Sequence, residues 1–484
     1  MTQPQTVGTS VEPTRISRRG FHRAAAAAAS SAFSFYFIPS HAWGQLEKPA
    51  LAGIGAGGKG ASDISGAAAA GFQIAALVDV VDRRKLGGVK IPRNPAKAQD
   101  DYPSLPFFAD YREMFDRMGD KIDAVTVSTP DHHHFHASLL AMRGGKHVYC
   151  QKPLTHGIWE ARTLAKVAAE TGVKTQMGNQ AHAQDHMRRC IELIRAGVIG
   201  KIKTVHGWTN RPIWPQGMAD PPAGEAVPDW MSWEQWIGPA PFADYSAKLA
   251  PFGWRGVWHY GSGALGDRAC HILDIGWWAL QPGAPLSVTA EEQGGTNWSP
   301  PISSKITWQF APSKYTADDG CQIIWYDGYP QAKFDAQTWS LKKEGDDYNH
   351  PTAEVMGSED YRQYDIVMEG ERGRMFFNRD HLNWRLDVGH ELDGFEWPEP
   401  TIPRAPEQDN YREWFQAVNG TIDRSQSDFS AAGPFTEMIL LGTIAQRLPG
   451  KVLRWDNDAM TIKGHPEADA WIHRDYRPGW SVDV

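Results

Sequence analysis

Three groups of residues have types and spacings that could do chemistry. The first is the glycine turn Gly53-Ile54-Gly55-Ala56-Gly57-Gly58, which follows a short apolar run. Gly53 permits a tight strand-to-helix turn, Gly55 lets the backbone approach a pyrophosphate, and Gly58 lets the next helix pack close to the strand. The first N–H groups of that helix then face the phosphates. The second group is Gln151-Lys152-Pro153, after the apolar run 147–150. An ammonium at the carboxyl end of a parallel strand lies in the crevice where such sheets bind ligands, and Pro153 restricts the backbone that aims it. Taken alone, an ordinary surface lysine is the plainer reading. The third group lies in the stretch 263–274. On a helix, Asp267 and His271 are i, i+4 neighbours, and Asp274 follows at i+7 on the same face. A carboxylate beside an imidazole holds its tautomer and raises its basicity, which suits proton transfer near neutral pH. A capping aspartate and a packed histidine would have the same spacing.

The elements that must position these groups follow from the hydrophobic pattern. The segment 72–78 reads as a second strand and ends in Asp79, which is placed to accept hydrogen bonds from the ribose hydroxyls of NAD and to repel a 2′-phosphate. Arg83 and Arg84 lie close enough to keep NADP as an alternative. From Val80 to Asp120 the chain is loop-like, punctuated by Pro92, Pro95, Pro103 and Pro106, before a helix carrying Met114, Phe115 and Met118. A buried parallel strand over 122–128 ends in Thr129-Pro130-Asp131-His132-His133-His134-Phe135-His136. Those histidines suggest a metal, but adjacent residues point in different directions and no acid partner stands at helical spacing, so no metal is expected. Thr129 and Pro130 are instead expected at the cofactor, on a turn that presents one of these histidine rings, His134 ahead of the others, beside the nicotinamide ribose. A helix over 136–144, the strand 147–150, the helix 158–171, the strand 174–177, the turn Gly178-Asn179-Gln180 and a helix over 185–196 continue the alternation, and Asn179 is expected at the cofactor. Strands alternating with helices predict an α/β, doubly wound parallel sheet. From Lys201 the texture changes. The segment 202–209 alternates as a sheet strand, and the Pro/Trp-rich stretch 211–258 reads as the wall or lid of a cleft, or as irregular packing at a sheet edge. Trp208, Asn210, Arg211, His259 and Tyr260 are expected to face that cleft.

Composition bounds the rest. The 484 residues suffice for two domains with sizeable cores. A formal net charge of -8 gives no reason to expect nucleic acid or an anionic membrane surface as partner. The 21 tryptophans suit sugar stacking, although most are expected in the core. Cys150, Cys190, Cys270 and Cys321 are far apart and read as buried small hydrophobes. No later run is apolar and long enough to span a membrane. Residues 1–42 look like an address: Ser17-Arg18-Arg19-Gly20-Phe21 is a twin-arginine pattern, an apolar region follows from Ala24 to Ile38, and Ser40-His41-Ala42 places cleavage after Ala42. Twin-arginine export carries folded proteins, so a periplasmic enzyme could acquire its nucleotide in the cytoplasm.

The glycine turn, Thr129-Pro130-Asp131-x-x-His134, Gln151-Lys152-Pro153 and the stretch from Gly263 to Asp274 stand together in an order and spacing that resemble the Gfo/Idh/MocA oxidoreductases. The segments Gly433-Pro434-Phe435-Thr436-Glu437 and 471–480 resemble an exported subgroup. The resemblance implies a Rossmann domain over 43–195 and a C-terminal α/β domain over 196–484 with an open, mostly antiparallel sheet, often the interface of a homo-oligomer. It implies that helices near 409–418 and 435–448 complete the structure and pack back on the first domain. Carried over residue by residue, Lys152 takes the place of the lysine in the family's Glu-Lys-Pro motif, and Asp267 and His271 those of its helix aspartate and histidine; the motif's first position is Gln151 here. The implied activity is hydride transfer between a carbohydrate or polyol carbinol and NAD, or NADP. His271 would take the proton, Lys152 would stabilise the alkoxide, Asp267 would orient the imidazole or bind a neighbouring hydroxyl, and Trp208 and Arg211 would help to bind substrate. Three alternatives stay open: an enzyme that keeps its nucleotide and passes hydride between sugars; a glycosidase or lyase acting through transient oxidation, whose relatives have a different motif from Gly263–Asp274; and a non-catalytic sugar-binding protein, against which the intact Lys152, Asp267 and His271 argue.

Overall fold

A computed structural model describes residues 48–91, 94–380, 383–388, 392 and 395–482. The twin-arginine segment and its cleavage point lie outside the described residues. Six short strands form the first sheet: β1 (Ala50–Ile54), β2 (Gln73–Val78), β3 (Phe107–Phe108), β4 (Ala124–Val127), β5 (His147–Cys150) and β6 (Thr175–Met177). All pair in parallel, in the order β3-β2-β1-β4-β5-β6. Every residue of β4 is buried, as expected of a strand covered on both faces by helices. The chain winds outward from β1 to β3 and then returns to place β4 on the other side of β1. At that reversal the strand ends diverge and leave a crevice.

The covering helices are α1 (Lys59–Ala70), α2 (Tyr111–Met118), α3 (His134–Arg143), α4 (Ile158–Thr171) and α5 (Asp185–Arg195). In the second half, α6 (Gly263–Ile272) and α7 (Asp274–Leu280) follow the Trp-rich stretch, and α8 (Asn410–Val418) and α9 (Phe429–Arg447) lie near the end. The remaining strands are β7 (Ile202–Thr209), β8 (Ser287–Gln293), β9 (Ser303–Phe310), β10 (Cys321–Gly328), β11 (Lys333–Asp335), β12 (Ser340–Lys342), β13 (Ile366–Gly370), β14 (Gly373–Asn378), β15 (Asn383–Val388), β16 (Leu453–Asp456) and β17 (Thr461–Lys463). Apart from the β11–β12 hairpin they form a nine-stranded sheet in the order β15-β14-β13-β7-β10-β9-β8-β16-β17. Its pairs are antiparallel except β7 with β10. Along β9, Ile306, Trp308 and Phe310 are buried while Lys305, Thr307 and Gln309 are half-buried, so one face meets the core.

Helix α9 is apolar nearly all round and is buried accordingly. It packs against α4 on one side and against α6, β8 and β9 on the other, tying the two sheets together. The approach is close enough that a Cβ on Gly442 would lie 2.6 Å from the Trp308 ring. Helix α8, capped by the Asp409 carboxylate, packs back on the first sheet. Trp414 stacks on Phe72 at 4.6 Å and Tyr411 on Tyr149 at 4.9 Å. All four cysteines are free and buried.

Candidate functional site

The crevice at the strand reversal opens into a cavity of about 700 Å³. One end is the glycine turn. Gly55 has φ +83°, and a Cβ there would lie 2.7 Å from the Ser128 carbonyl, so this position must be glycine if β1 and β4 are to diverge around a ligand. Close packing of the helix on the strand falls elsewhere than the spacing suggested. A Cβ on Gly53 would strike Ile64, and one on Gly60 would strike the Gly55 carbonyl. Gly58, with φ +50°, has open space in front of it. Gly55, Gly57, Gly58 and Lys59 line the cavity, while Ala56 is buried beneath the turn. Gly55 N–H is donated to the Val78 carbonyl and Gly57 N–H to Asp79, so it is the backbone at Gly58 and Lys59, opening α1, that meets an anion with no Cβ on Gly58 in the way, the cradle that a pyrophosphate fits.

Asp79 lines the same end. Its carboxylate accepts from Gly57 N–H at 2.9 Å and from Val81 N–H at 2.9 Å, so it pins the turn as well as facing the cavity. Burial pushes its carboxyl up to about 6, against the hydrogen bonds from Val81 and the turn. Arg83 and Arg84 turn away to Asp100 and Asp82 and do not line the cavity.

Between the ends lie Ser128, Thr129, Pro130 and His133. The ring that reaches the cavity is thus His133 rather than His134. His134 is 1% exposed and lies beneath the cavity, bridging the carbonyls of Pro153 at 2.7 Å and Thr129 at 2.9 Å. The 3-10 turn at Asp131–His133 runs straight into α3, so adjacent rings diverge by about 100°. A one-residue offset also moves Asn179. It is buried, donating to Asp274 at 2.8 Å and accepting from Ser427 at 2.7 Å, while its neighbour Gln180 lines the cavity.

At the far end Lys152, Asp267 and His271 come together, as the family resemblance implied. Lys152 Nζ donates to the Asp267 carboxylate and to the Asp267 carbonyl, both at 2.7 Å. Arg255, absent from the sequence reading, pairs with Asp131 at 3.0 Å and approaches Asp267 at 3.4 Å. Asp131 is fixed in turn by the Ser262 hydroxyl at 2.7 Å. Burial lowers the Lys152 ammonium's pKa, with Asp267 opposing. Burial also works against the Asp267 carboxylate, but Lys152 and Arg255 hold it well below the usual range. The expected Asp267–His271 hydrogen bond is not made, because the carboxylate is committed to Lys152. His271 Nδ1 is buried without a protein partner among the described residues. Burial first, then Lys152, Arg379 and Arg268, push this imidazole far below its ordinary value, the reverse of the raised basicity expected from an adjacent carboxylate. The ring is therefore neutral, with a lone pair to accept a proton.

Asp274 does not share this face. The helix breaks at Leu273, and Asp274 opens α7 with its carboxylate 2.9 Å from His182. Trp208 also fails to reach the cavity. The two-residue period of β7 turns it to the other face of the sheet, where it packs with Tyr326 and Phe376 and donates to the Tyr361 carbonyl at 2.9 Å. Arg211 does line the cavity, whereas Asn210 is exposed and Tyr260 is buried in the core of the Trp-rich stretch. That stretch is both things its composition allowed. It has its own core around Trp233, Trp236 and Tyr245, and it walls the cavity with Trp214, Trp236 and Trp254.

Gln151 donates to Asp63 at 2.9 Å. Asp63, on α1 and wholly buried, also accepts from Ser128 at 2.7 Å and Tyr411 at 2.6 Å, and pairs with Lys59 at 2.7 Å. The negative charge missing from position 151 is thus carried by Asp63, through the neutral amide. A chance polar residue on α1 could not have been assigned this task from local pattern.

Residues 51–179 match the family described as the Gfo/Idh/MocA oxidoreductases, NAD-binding Rossmann fold, and residues 191–356 match that family's C-terminal α/β domain. Among curated proteins, the 2,7-anhydro-N-acetylneuraminate hydratase of Escherichia coli K12 is 31% identical over 94 residues, 19% of this chain and 25% of that protein. The levoglucosan dehydrogenase of Pseudarthrobacter phenanthrenivorans is 25% identical over 167 residues, 34% of this chain and 35% of that protein. The matched stretch therefore spans well under half of either relative's length. Among solved structures, an inositol dehydrogenase homologue from Azotobacter vinelandii, complexed with NADH and myo-inositol, superposes with TM-score 0.53 at 16% identity, over 84% of this chain and 98% of that one. That likeness is one of fold.

Proposed function

The chain belongs to the Gfo/Idh/MocA oxidoreductase family, and on that premise we propose that it oxidises or reduces a sugar or polyol at a carbinol carbon with NAD. The observation that carries this is the single cavity joining the glycine turn to Lys152, Asp267 and His271. The names of the relatives, for levoglucosan and for an inositol dehydrogenase homologue, support a carbohydrate or polyol as substrate. A bound nicotinamide supplies the hydride acceptor or donor. The chain's own residues do the rest. The neutral His271 accepts the hydroxyl proton at a ring nitrogen, and Lys152, held by Asp267, donates to the oxygen as negative charge develops there. Asp267 acts through the ammonium rather than through the imidazole. Asp79 facing the cavity, with Arg83 and Arg84 engaged elsewhere, supports NAD over NADP.

Mass spectrometry of the nucleotide released on denaturing the purified protein, followed by a panel of sugars and polyols on the same sample, tests this reading. Nucleotide that copurifies would mark an enzyme that retains its cofactor, and absence of any redox change with the panel when NAD and NADP are supplied would remove the reading. A second reading is favoured by the hydratase-named relative. There the same hydride and proton steps oxidise a hydroxyl transiently and allow a neighbouring bond to be eliminated, and bond cleavage with no net NADH would select it.

We further propose that the protein is exported by the twin-arginine route and associates through its second sheet. The half-buried polar residues Lys305, Thr307 and Gln309 are what that sheet offers a second copy. Replacement of Arg18 and Arg19 by lysine should retain the protein in the cytoplasmic fraction, and light scattering of the mature protein should give a multiple of the chain mass.

A further inference from the structure

Beside His271 the site collects more positive charge than an alcohol oxidation needs. Arg268 follows Asp267 on α6 and stands three residues before His271, so it emerges on the flank of the same helix face. Arg379 comes from the end of β14 and Arg211 from the end of β7, so three separate segments converge. Arg268 is close enough to both to disfavour their charged forms, adding to burial in each case. Arg268 and Arg379 in turn disfavour the charged form of His271.

The nearby carboxylates absorb only part of this charge. Asp380 is shared between Arg268 and Arg379. Asp267 is committed to Lys152 and Arg255, and Asp131 to Arg255 and Ser262. Asp365 accepts from the Arg379 backbone, and burial pushes its carboxyl up to about 7. Arg211 lines the cavity, and its side chain donates to the neutral amide of Asn210 at 2.7 Å. The Nε atoms of Arg268 and Arg379 are buried without an acceptor among the described residues. An oxidised nicotinamide, itself cationic, would add to the imbalance, and a neutral sugar would leave it uncompensated. A carboxylate matches the guanidinium fork in charge and in planar geometry.

We propose that the substrate is an acidic sugar, a uronic or aldonic acid, whose carboxylate is received by Arg211 with Arg268 and Arg379 behind it. This deepens the oxidoreductase reading and rests on it for the identity of the site. The test is calorimetric titration of the NADH-loaded protein with matched probes: D-glucuronate against D-glucose, D-galacturonate against D-galactose, and D-gluconate against D-glucitol. In at least one pair the acid should bind tenfold or more tightly than its neutral partner, and the advantage should shrink as salt is raised. Arg211→Gln should bring that ratio close to one, and Arg211→Lys should retain part of it, with circular dichroism melts establishing that both variants fold. The proposal is overturned if no acid outbinds its neutral partner, if the ratio survives in Arg211→Gln, or if D-glucose 6-phosphate outbinds every carboxylate. Tight binding of an acid that yields no NADH when the same acids are offered with NAD+ in place of NADH would instead count against hydride transfer and leave the charge preference standing.

Discussion

The two ends of the cavity are built on opposite principles. The glycine-turn end works by what is missing: Gly55 and Gly58 have no side chain, and the ligand meets backbone N–H groups within a few residues of one another in the chain. The Lys152 end works by what is added. Side chains from beyond the ends of β4 and β5, from the Trp-rich wall and from α6 meet in one charge network, in which each group's ionisation depends on the others. A local device tolerates changes elsewhere in the molecule, whereas an assembled network passes each change on.

The largest effects should come from emptying the assembled end. Lys152→Ala and His271→Ala should each lower kcat by roughly 10²–10⁴-fold, the usual worth of a positioned proton-transfer group. Cofactor should remain bound in both, because neither side chain belongs to the turn. Steady-state NADH formation and the fluorescence of bound NADH together check this, and unchanged turnover would remove the residue from the scheme. Gly55→Val inverts the pattern. Its Cβ would lie 2.7 Å from the Ser128 carbonyl at a φ of +83°, and strain of about 1–3 kcal/mol plus the lost approach should weaken NAD by roughly 100-fold. Equilibrium titration with NADH measures it, and near-normal affinity would mean that no pyrophosphate lies on this turn.

The same contrast explains what could be read in the sequence. The turn, the parallel strands and the helix pair Asp267/His271 are local patterns, and β5, α4 and β7 fall where their periodicity placed them. Misplacements arose where one residue of offset decides direction. His133 took the position expected of His134, Gln180 that of Asn179, and the pleat of β7 turned Trp208 away. Asp131, Arg255 and Asp63 went unassigned for a different reason. Each matters through a partner distant in the chain, such as Arg255 for Asp131 and Gln151 for Asp63, and no spacing rule links them.

Gln151 is where the two ends touch, since its amide joins the carboxyl end of β5 to helix α1. Gln151→Glu would place two carboxylates 2.9 Å apart in a buried site, where one must take up a proton. We expect a loss of about 1–3 kcal/mol in stability, with a fall in both NAD affinity and kcat. Adding Asp63→Asn returns one negative charge and one amide to the pair with their places exchanged. The double variant should recover most of the kcat loss, although Lys59 and Tyr411 lose their charged acceptor. Equal damage in the single and double variants would make the pair mere packing and would separate the two ends after all. Thermal melts and kcat of the three proteins measure the coupling directly.

The smallest effect, of a few-fold, concerns Asp79 and has two signs. Its carboxyl is raised to about 6 in the folded protein against an ordinary 3.8. The folded state therefore holds this proton more tightly than the unfolded chain does. The stability so gained is present in full below about pH 4 and is lost as pH rises through about 6. Cofactor affinity runs the other way, because accepting hydrogen bonds from ribose hydroxyls requires the ionised carboxylate. NAD affinity should rise with pH through about 6 and level off above it, while the melting temperature of the nucleotide-free protein, taken relative to Asp79→Asn, falls over the same interval. His271 contributes no step there, since its imidazole is already neutral. If affinity and stability moved in the same direction, Asp79 would serve only to pin Gly57, and the ribose would have to find its acceptor elsewhere in the turn.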